Sequence, residues 1–274
     1  MDCVSQELMS MTLNQYFDDF FYAEGDQAVW KMTEWPVGPF QDMMEDLFED
    51  LMLALPMPKY TGPRGIFNLA SYFPKGQVGL DLSPKLYPAQ GFSHGQTDYG
   101  SINLSCEMAD AAYICTYTAA PKPSNPRGRV AKGSPTVIWE IFRAEDRALI
   151  RLFLEQHFVQ NKMSKKITDP FTYHTLYLSP ALQQQLFHQT GVRPYRVEQS
   201  LGEAIVIPAG CLRQARYTHG SILVGVDFVS PERFTETVRW SKELREFNLR
   251  KYRRRLPDTL MAQNVLLYST LAML

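Results

Sequence analysis

Four cysteines, Cys3, Cys106, Cys115 and Cys211, are the residues best suited by type to hold a metal or cross-link the chain, and their spacing argues against both roles. No two have the Cys-x-x-Cys separation that sets neighbouring thiolates on one zinc ion, and scattered thiols do not make a disulfide framework. A reducing compartment, cytosol or nucleus, is the default that follows. Methionine is the other soft donor. Met43, Met44 and Met52 recur at helical spacing with Leu47, Phe48, Leu51 and Leu55, the pattern of a packed stripe rather than a ligand set. Charge is spread unevenly. Residues 1–55 carry twelve acids against one base, Lys31, a balance of −11; residues 239–255 carry eight bases against two acids, a balance of +6. The run Arg250, Lys251, Arg253, Arg254 and Arg255 has the composition of a nucleic-acid patch or a nuclear-import signal. It reads equally as a solvated helix end whose cations face the negative pole of the helix dipole. The run is short, so the case for nucleic acid is weak.

These groups must be positioned by a chain of 274 residues, 45% hydrophobic, 21% charged and of formal net charge −1. That is enough apolar side chain for a sizeable core, and such a composition excludes disorder as the main state. No apolar run approaches 18 residues, so no membrane span is expected, and the acidic start MDCVSQELM does not read as a signal peptide. Leu13, Tyr16, Phe17, Phe20 and Phe21 predict one helix; the methionine stripe predicts a second, stopped by Pro56 and Pro58. Residues 56–100, rich in Pro and Gly, read as loops and edge strands. From 101 the pattern turns to strands, at 112–118, 136–142, 195–200, 203–208, 211–217 and 221–228. Two helices interrupt them, one over about 144–160 and one opened by Ser179 and Pro180 and stopped by Gly191. Residues 119–135 read as a flexible insertion, and helices over about 231–250 and 257–273 close the chain. Helices, then evenly spaced short strands with helical inserts, then helices again, suggest a β-barrel or sandwich braced by helices.

Several stretches, in order, resemble the JmjC domain of the lysine-demethylase-3 class, to which the corepressor Hairless is related. They are WPVGPFQDMMEDLFEDLMLALPMPKYT (35–61), GIFNLASYFP (65–74), LDLSPKLYPAQG (80–91), SINLSCEMADAAYI (101–114), VIWEIFRAEDRALIRLFL (137–154), GEAIVIPAGCLRQARYTHGSILVGVDFVSPE (202–232) and MAQNVLLYSTLAML (261–274). The resemblance covers nearly the whole chain. It implies a mainly β fold with helical flanks, a double-stranded β-helix (cupin-like jelly roll), as a single domain over 1–274. Residues 1–60 would be a helical lead-in, 61–230 the core with its helical insert, and 231–274 the C-terminal helices. Active members of the class use Fe(II) and 2-oxoglutarate to hydroxylate the N-methyl group of histone lysines, and the product then releases formaldehyde.

The family holds its iron on a His-x-Asp pair and a distant His, a facial set that leaves positions open for co-substrate and oxygen. At the positions that match, this sequence has Ser105-Cys106-Glu107 and Arg213. Serine is a poor neutral ligand and arginine cannot deprotonate to ligate, so no metal, no cofactor and no catalytic residue is expected. His94 and His219 fall at no ligand position, and Cys106 alternates away from the site as a core thiol. Lys122 matches the lysine that grips the distal carboxylate of 2-oxoglutarate, and reads equally as an ordinary loop lysine. Ile102 and Tyr113 stand where the resemblance calls for Thr and Asn. If the backbone is kept, Glu107 and Arg213 enter one small space and should pair. Two function classes follow: a catalytically inactive chromatin or transcription regulator, or an atypical Fe(II)/2-oxoglutarate demethylase of histone H3 methyl-lysine. The resemblance implies a histone tail or chromatin protein as partner and a nuclear location, with a cytosolic location and a homodimer left open.

Overall fold

The computed structural model describes residues 1–22, 29–33, 35–74, 82–92, 95–119, 135–160, 171, 176–252 and 260–274. Among these are eight strands in two four-stranded antiparallel sheets: β1 (Lys85–Ala89), β2 (Ile102–Cys106), β3 (Asp110–Thr118), β4 (Val137–Phe142), β5 (Tyr195–Gln199), β6 (Ala204–Ile207), β7 (Leu212–Tyr217) and β8 (Ser221–Phe228). One sheet runs β1-β8-β3-β6 and the other β2-β7-β4-β5. With helices on its flanks this is the jelly roll that the resemblance implies.

Strand alternation decides which residues fill the space between the sheets. From β3 come Ala111, Tyr113 and Cys115, from β4 Val137 and Trp139, from β7 Ala215 and Tyr217, and from β8 Leu223. Helix α1 (Leu13–Tyr22) opens the chain. The opposite face of the first sheet, with Ile114, Val224 and Val226, is covered by Phe40 of α2 (Phe40–Met43) and Leu51 of α3 (Glu45–Ala54). Of the methionine stripe, Met44 and Met52 pack against that cluster with Phe48 and Leu55, whereas Met43 and Leu47 are exposed, contrary to expectation. The one-turn α4 (Pro58–Thr61) follows α3. The outer face of the second sheet carries Leu104, Phe142 and Leu212. It is covered by Ile150, Phe153 and Leu154 of α5 (Arg147–Gln160), Leu186 of α6 (Pro180–Thr190) and Trp240 of α7 (Phe234–Tyr252). The expected stops of α6 are in place. Ser179 Oγ accepts from the Leu182 N–H, and Gly191, at φ +75°, gives its N–H to the Phe187 carbonyl at 2.8 Å. A last helix (Ala262–Met273) sets Val265 against Leu69 and Val229. Among the described residues no helix is long and apolar enough to cross a membrane.

One further expectation needs correction. Residues 56–100 hold more than loops and the edge strand β1: Pro58–Thr61 and Leu69–Tyr72 are short helical turns, the second capped by Asn68. Residues 195–228 are four consecutive strands, as expected, and none pairs with the next. β5 joins β4, β6 joins β3, β7 joins β2 and β4, and β8 joins β1 and β3. At each turn the chain crosses from one sheet to the other, because each strand buries its inward row against the opposite layer. Gly202 and Gly210, both at φ +79°, supply the left-handed backbone for two of those turns.

Candidate functional site

Strand β2 shows how residues three apart come to share a face. Ile102 pairs with Ala215 and Ser105 with Arg213, and the register slips between them. On a regular strand a spacing of three sends side chains to opposite faces. The extra residue of the slip turns Ser105 inward with Ile102, and leaves Leu104 and Cys106 in the outer cluster. The Cys106 thiol, pushed up by burial, is an inert core group, as expected.

Arg213 lies opposite Ser105 on β7, its side chain 6% exposed, and Glu107 stands just beyond the end of β2, its side chain 38% exposed. Arg213 Nη2 donates to Glu107 Oε1 at 3.1 Å and to the Tyr113 hydroxyl at 2.5 Å, and its guanidinium carbon sits 5.2 Å from the centre of the Tyr113 ring. The expected pair of Glu107 and Arg213 is therefore present, with Tyr113 as a third member. Burial works against the Arg213 cation, but the Tyr113 hydroxyl that accepts from it and the Glu107 and Asp227 carboxylates outweigh it and hold the guanidinium above its ordinary range. Burial also pushes the Tyr113 and Tyr87 hydroxyls up, so both stay protonated. The Tyr113 ring packs on Trp139 (4.8 Å between centroids) and on Tyr87 (5.5 Å). Gly225 makes room for that stack: a Cβ there would meet the Tyr87 ring at 2.7 Å and the Tyr113 ring at 3.0 Å. Trp139 Nε1–H donates to Gln199 Oε1 at 2.8 Å, and Gln199 Nε2–H donates to the Tyr113 carbonyl at 2.9 Å.

The turn that delivers Arg213 is clamped from three elements. Asp110 accepts the Ala209 N–H at 2.9 Å and the Ser230 N–H at 2.8 Å. Arg147 Nη1 donates to the Gly210 carbonyl at 2.8 Å, and Arg233 Nη2 to the Ala209 carbonyl at 3.2 Å. Gly210 N–H in turn holds the Glu107 carbonyl at 3.1 Å, tying both halves of the pair to one turn.

Lys122 and His94 lie outside the described residues, as do Arg253, Arg254, Arg255 and the side chains of Arg250 and Lys251. His219 is a turn residue, its Nδ1 3.0 Å from Thr218 Oγ1. Ile102 packs against the inner cluster, and Tyr113 fills part of it. Sequence alone did not place Asp227 and Tyr87 beside Arg213, or Trp139 against the Tyr113 ring. The period of two through Leu223, Gly225 and Asp227 was the available signal for the first. An open groove of about 460 Å³, bordered by Arg143, Asp146, Arg193 and Tyr195, shares no residue with this site. Among the described residues no group of three or more His, Cys, Asp or Glu converges to hold a metal.

No protein-family model matches the chain. It is 31% identical to the Homo sapiens protein called "Probable JmjC domain-containing histone demethylation protein 2C", over 98% of this chain and 12% of that protein. It is 31% identical to "Lysine-specific demethylase 3A" of Gallus gallus, over 85% of this chain and 20% of that protein. With "Lysine-specific demethylase 3" of Drosophila melanogaster the identity is 33%, over 82% and 29%. The chain thus spans between about an eighth and under a third of the length of these relatives.

Proposed function

Since this chain belongs to the JmjC-domain family, in the lysine-demethylase-3 class, we propose that it is a demethylase-like fold without demethylase chemistry: a catalytically inactive JmjC domain that acts as a chromatin-binding or regulatory module. We take residues 1–274 as one domain. The observation that carries this reading is the Arg213 guanidinium hydrogen-bonded to Glu107. The two residues stand at positions where the class places iron ligands. The donor set does not fit Fe(II). A guanidinium has five N–H donors and no lone pair to give, its charge repels a dication, and it already engages the one carboxylate at these positions. The Ser105 hydroxyl is a weak neutral ligand, and one carboxylate with one hydroxyl does not select ferrous iron. The co-substrate side points the same way, since Tyr113 brings a buried ring and Ile102 an apolar side chain where the class has Asn and Thr.

A histone tail or chromatin protein is the proposed partner and the nucleus the proposed location, both drawn from relatives whose names describe histone or lysine demethylation. Neither a homodimer nor nucleic-acid binding enters the proposal. The test is formaldehyde release from methylated histone H3 peptides, with Fe(II), ascorbate and 2-oxoglutarate supplied. We expect none above the heat-denatured control, while the native protein still retains nucleosomes or H3 peptides in a binding assay. Formaldehyde that depends on 2-oxoglutarate would overturn the inactive reading; loss of all chromatin binding would overturn the partner.

A further inference from the structure

Ser105 and Arg213 stand opposite each other in the β2–β7 register and face the space between the sheets. Each buries a polar atom with no hydrogen-bond partner: Oγ of Ser105, a residue 1% exposed, and Nε of Arg213. Such orphans are uncommon in folded proteins, and two on facing residues mark a place where an outside acceptor would complete the set. Arginine grips a carboxylate best through two parallel N–H groups on one edge of its guanidinium. Here Nη2 is engaged by Glu107 and Tyr113, while Nε–H has no acceptor.

We propose that Ser105 and Arg213 form a binding site for a small carboxylate, which enters by displacing Glu107 from the guanidinium. The incoming carboxylate takes Nε–H and Nη2–H together and accepts a third hydrogen bond from the Ser105 hydroxyl. Glu107 sits at the solvent boundary and turns outward as the ligand enters. The exchange replaces one anion with another, so the balance of charge around Arg213, Asp227 included, is unchanged. Ile102 packs against the inner cluster and the Tyr113 ring fills part of it, so the proposed ligand is a small carboxylate head, free or at the end of a longer chain. The proposal rests on the proposed function, in which no metal occupies this position.

The experiment titrates sodium acetate into the ¹⁵N-labelled 274-residue chain, with ionic strength held constant by sodium chloride, and follows the Arg213 Nε–H resonance. We expect a saturable shift. Ser105→Ala should weaken acetate about tenfold, the scale of one hydrogen bond to an ion. Glu107→Ala, which removes the internal competitor, should tighten it by about tenfold or more by the same scale. An unchanged affinity in Ser105→Ala overturns the proposal, and so does the absence of saturation in both wild type and Glu107→Ala. An equal response to chloride would mean an adventitious ion only and would overturn it as well. Ser105→Ala removes one oxygen and keeps the test open if Glu107→Ala folds poorly. A parallel Fe(II) titration separates the two proposals: iron binding sinks the metal-free site, whereas silence to both iron and acetate sinks only the carboxylate.

Discussion

Trp139→Ala is expected to lower stability by about 4–5 kcal/mol, the upper range for removing a buried aromatic side chain. Trp139 is fully buried between the sheets, where it packs on Tyr113 and donates to Gln199. Its loss opens a cavity and also strips the donor from Gln199 Oε1, a buried acceptor. A domain of this size loses about 2–4 °C per kcal/mol, so the unfolding midpoint should fall by about 8–20 °C. Trp139→Phe keeps most of the volume and gives up the N–H, so it should cost only about 1–3 kcal/mol. Thermal and urea denaturation of the two variants measure both terms. Equal losses would mean that the hydrogen bond, not the ring, holds the interior.

The second large effect is an asymmetry within the ion pair. Glu107→Ala should cost about 2–3 kcal/mol, because it leaves a buried guanidinium whose nearest anion is gone, with a discount because Glu107 is partly exposed. Arg213→Met should cost no more than about 1 kcal/mol, since a flexible apolar side chain of similar length replaces a buried ion and Glu107 can turn to water. Removing the half-exposed partner is thus expected to hurt more than removing the buried one. Urea denaturation of both variants and the double variant closes the cycle. The reverse order would mean that the contact of Arg213 with the Tyr113 ring, rather than its charge, dominates.

Where side-chain alternation and end signals are local, the fold was legible in the sequence. Val137, Trp139 and Ile141 mark β4 by period, and Ser179, Pro180 and Gly191 bound α6 by the chemistry of helix ends. What local patterns do not carry is the identity of a strand's neighbour. β5 to β8 were visible as strands, but their alternation between sheets depends on contacts such as Ala111 with Ile207, almost a hundred residues apart. The resemblance brought Ser105, Glu107 and Arg213 together. It could not show that Tyr113 would reach the guanidinium, because the resemblance calls for the shorter Asn at that position. Asp227 was missed for a related reason: the period of two sets it on the face of β8 shared with Leu223, but its place near Arg213 depends on the register of β8 against β3.

Anaerobic titration of the purified chain with Fe(II), read by metal analysis after desalting, tests most directly whether Arg213 has taken the metal's place. No saturable uptake is expected in the wild type, with or without 2-oxoglutarate, because the guanidinium at Glu107 excludes a dication. One ferrous ion retained per chain, and lost on Glu107→Ala, would contradict it.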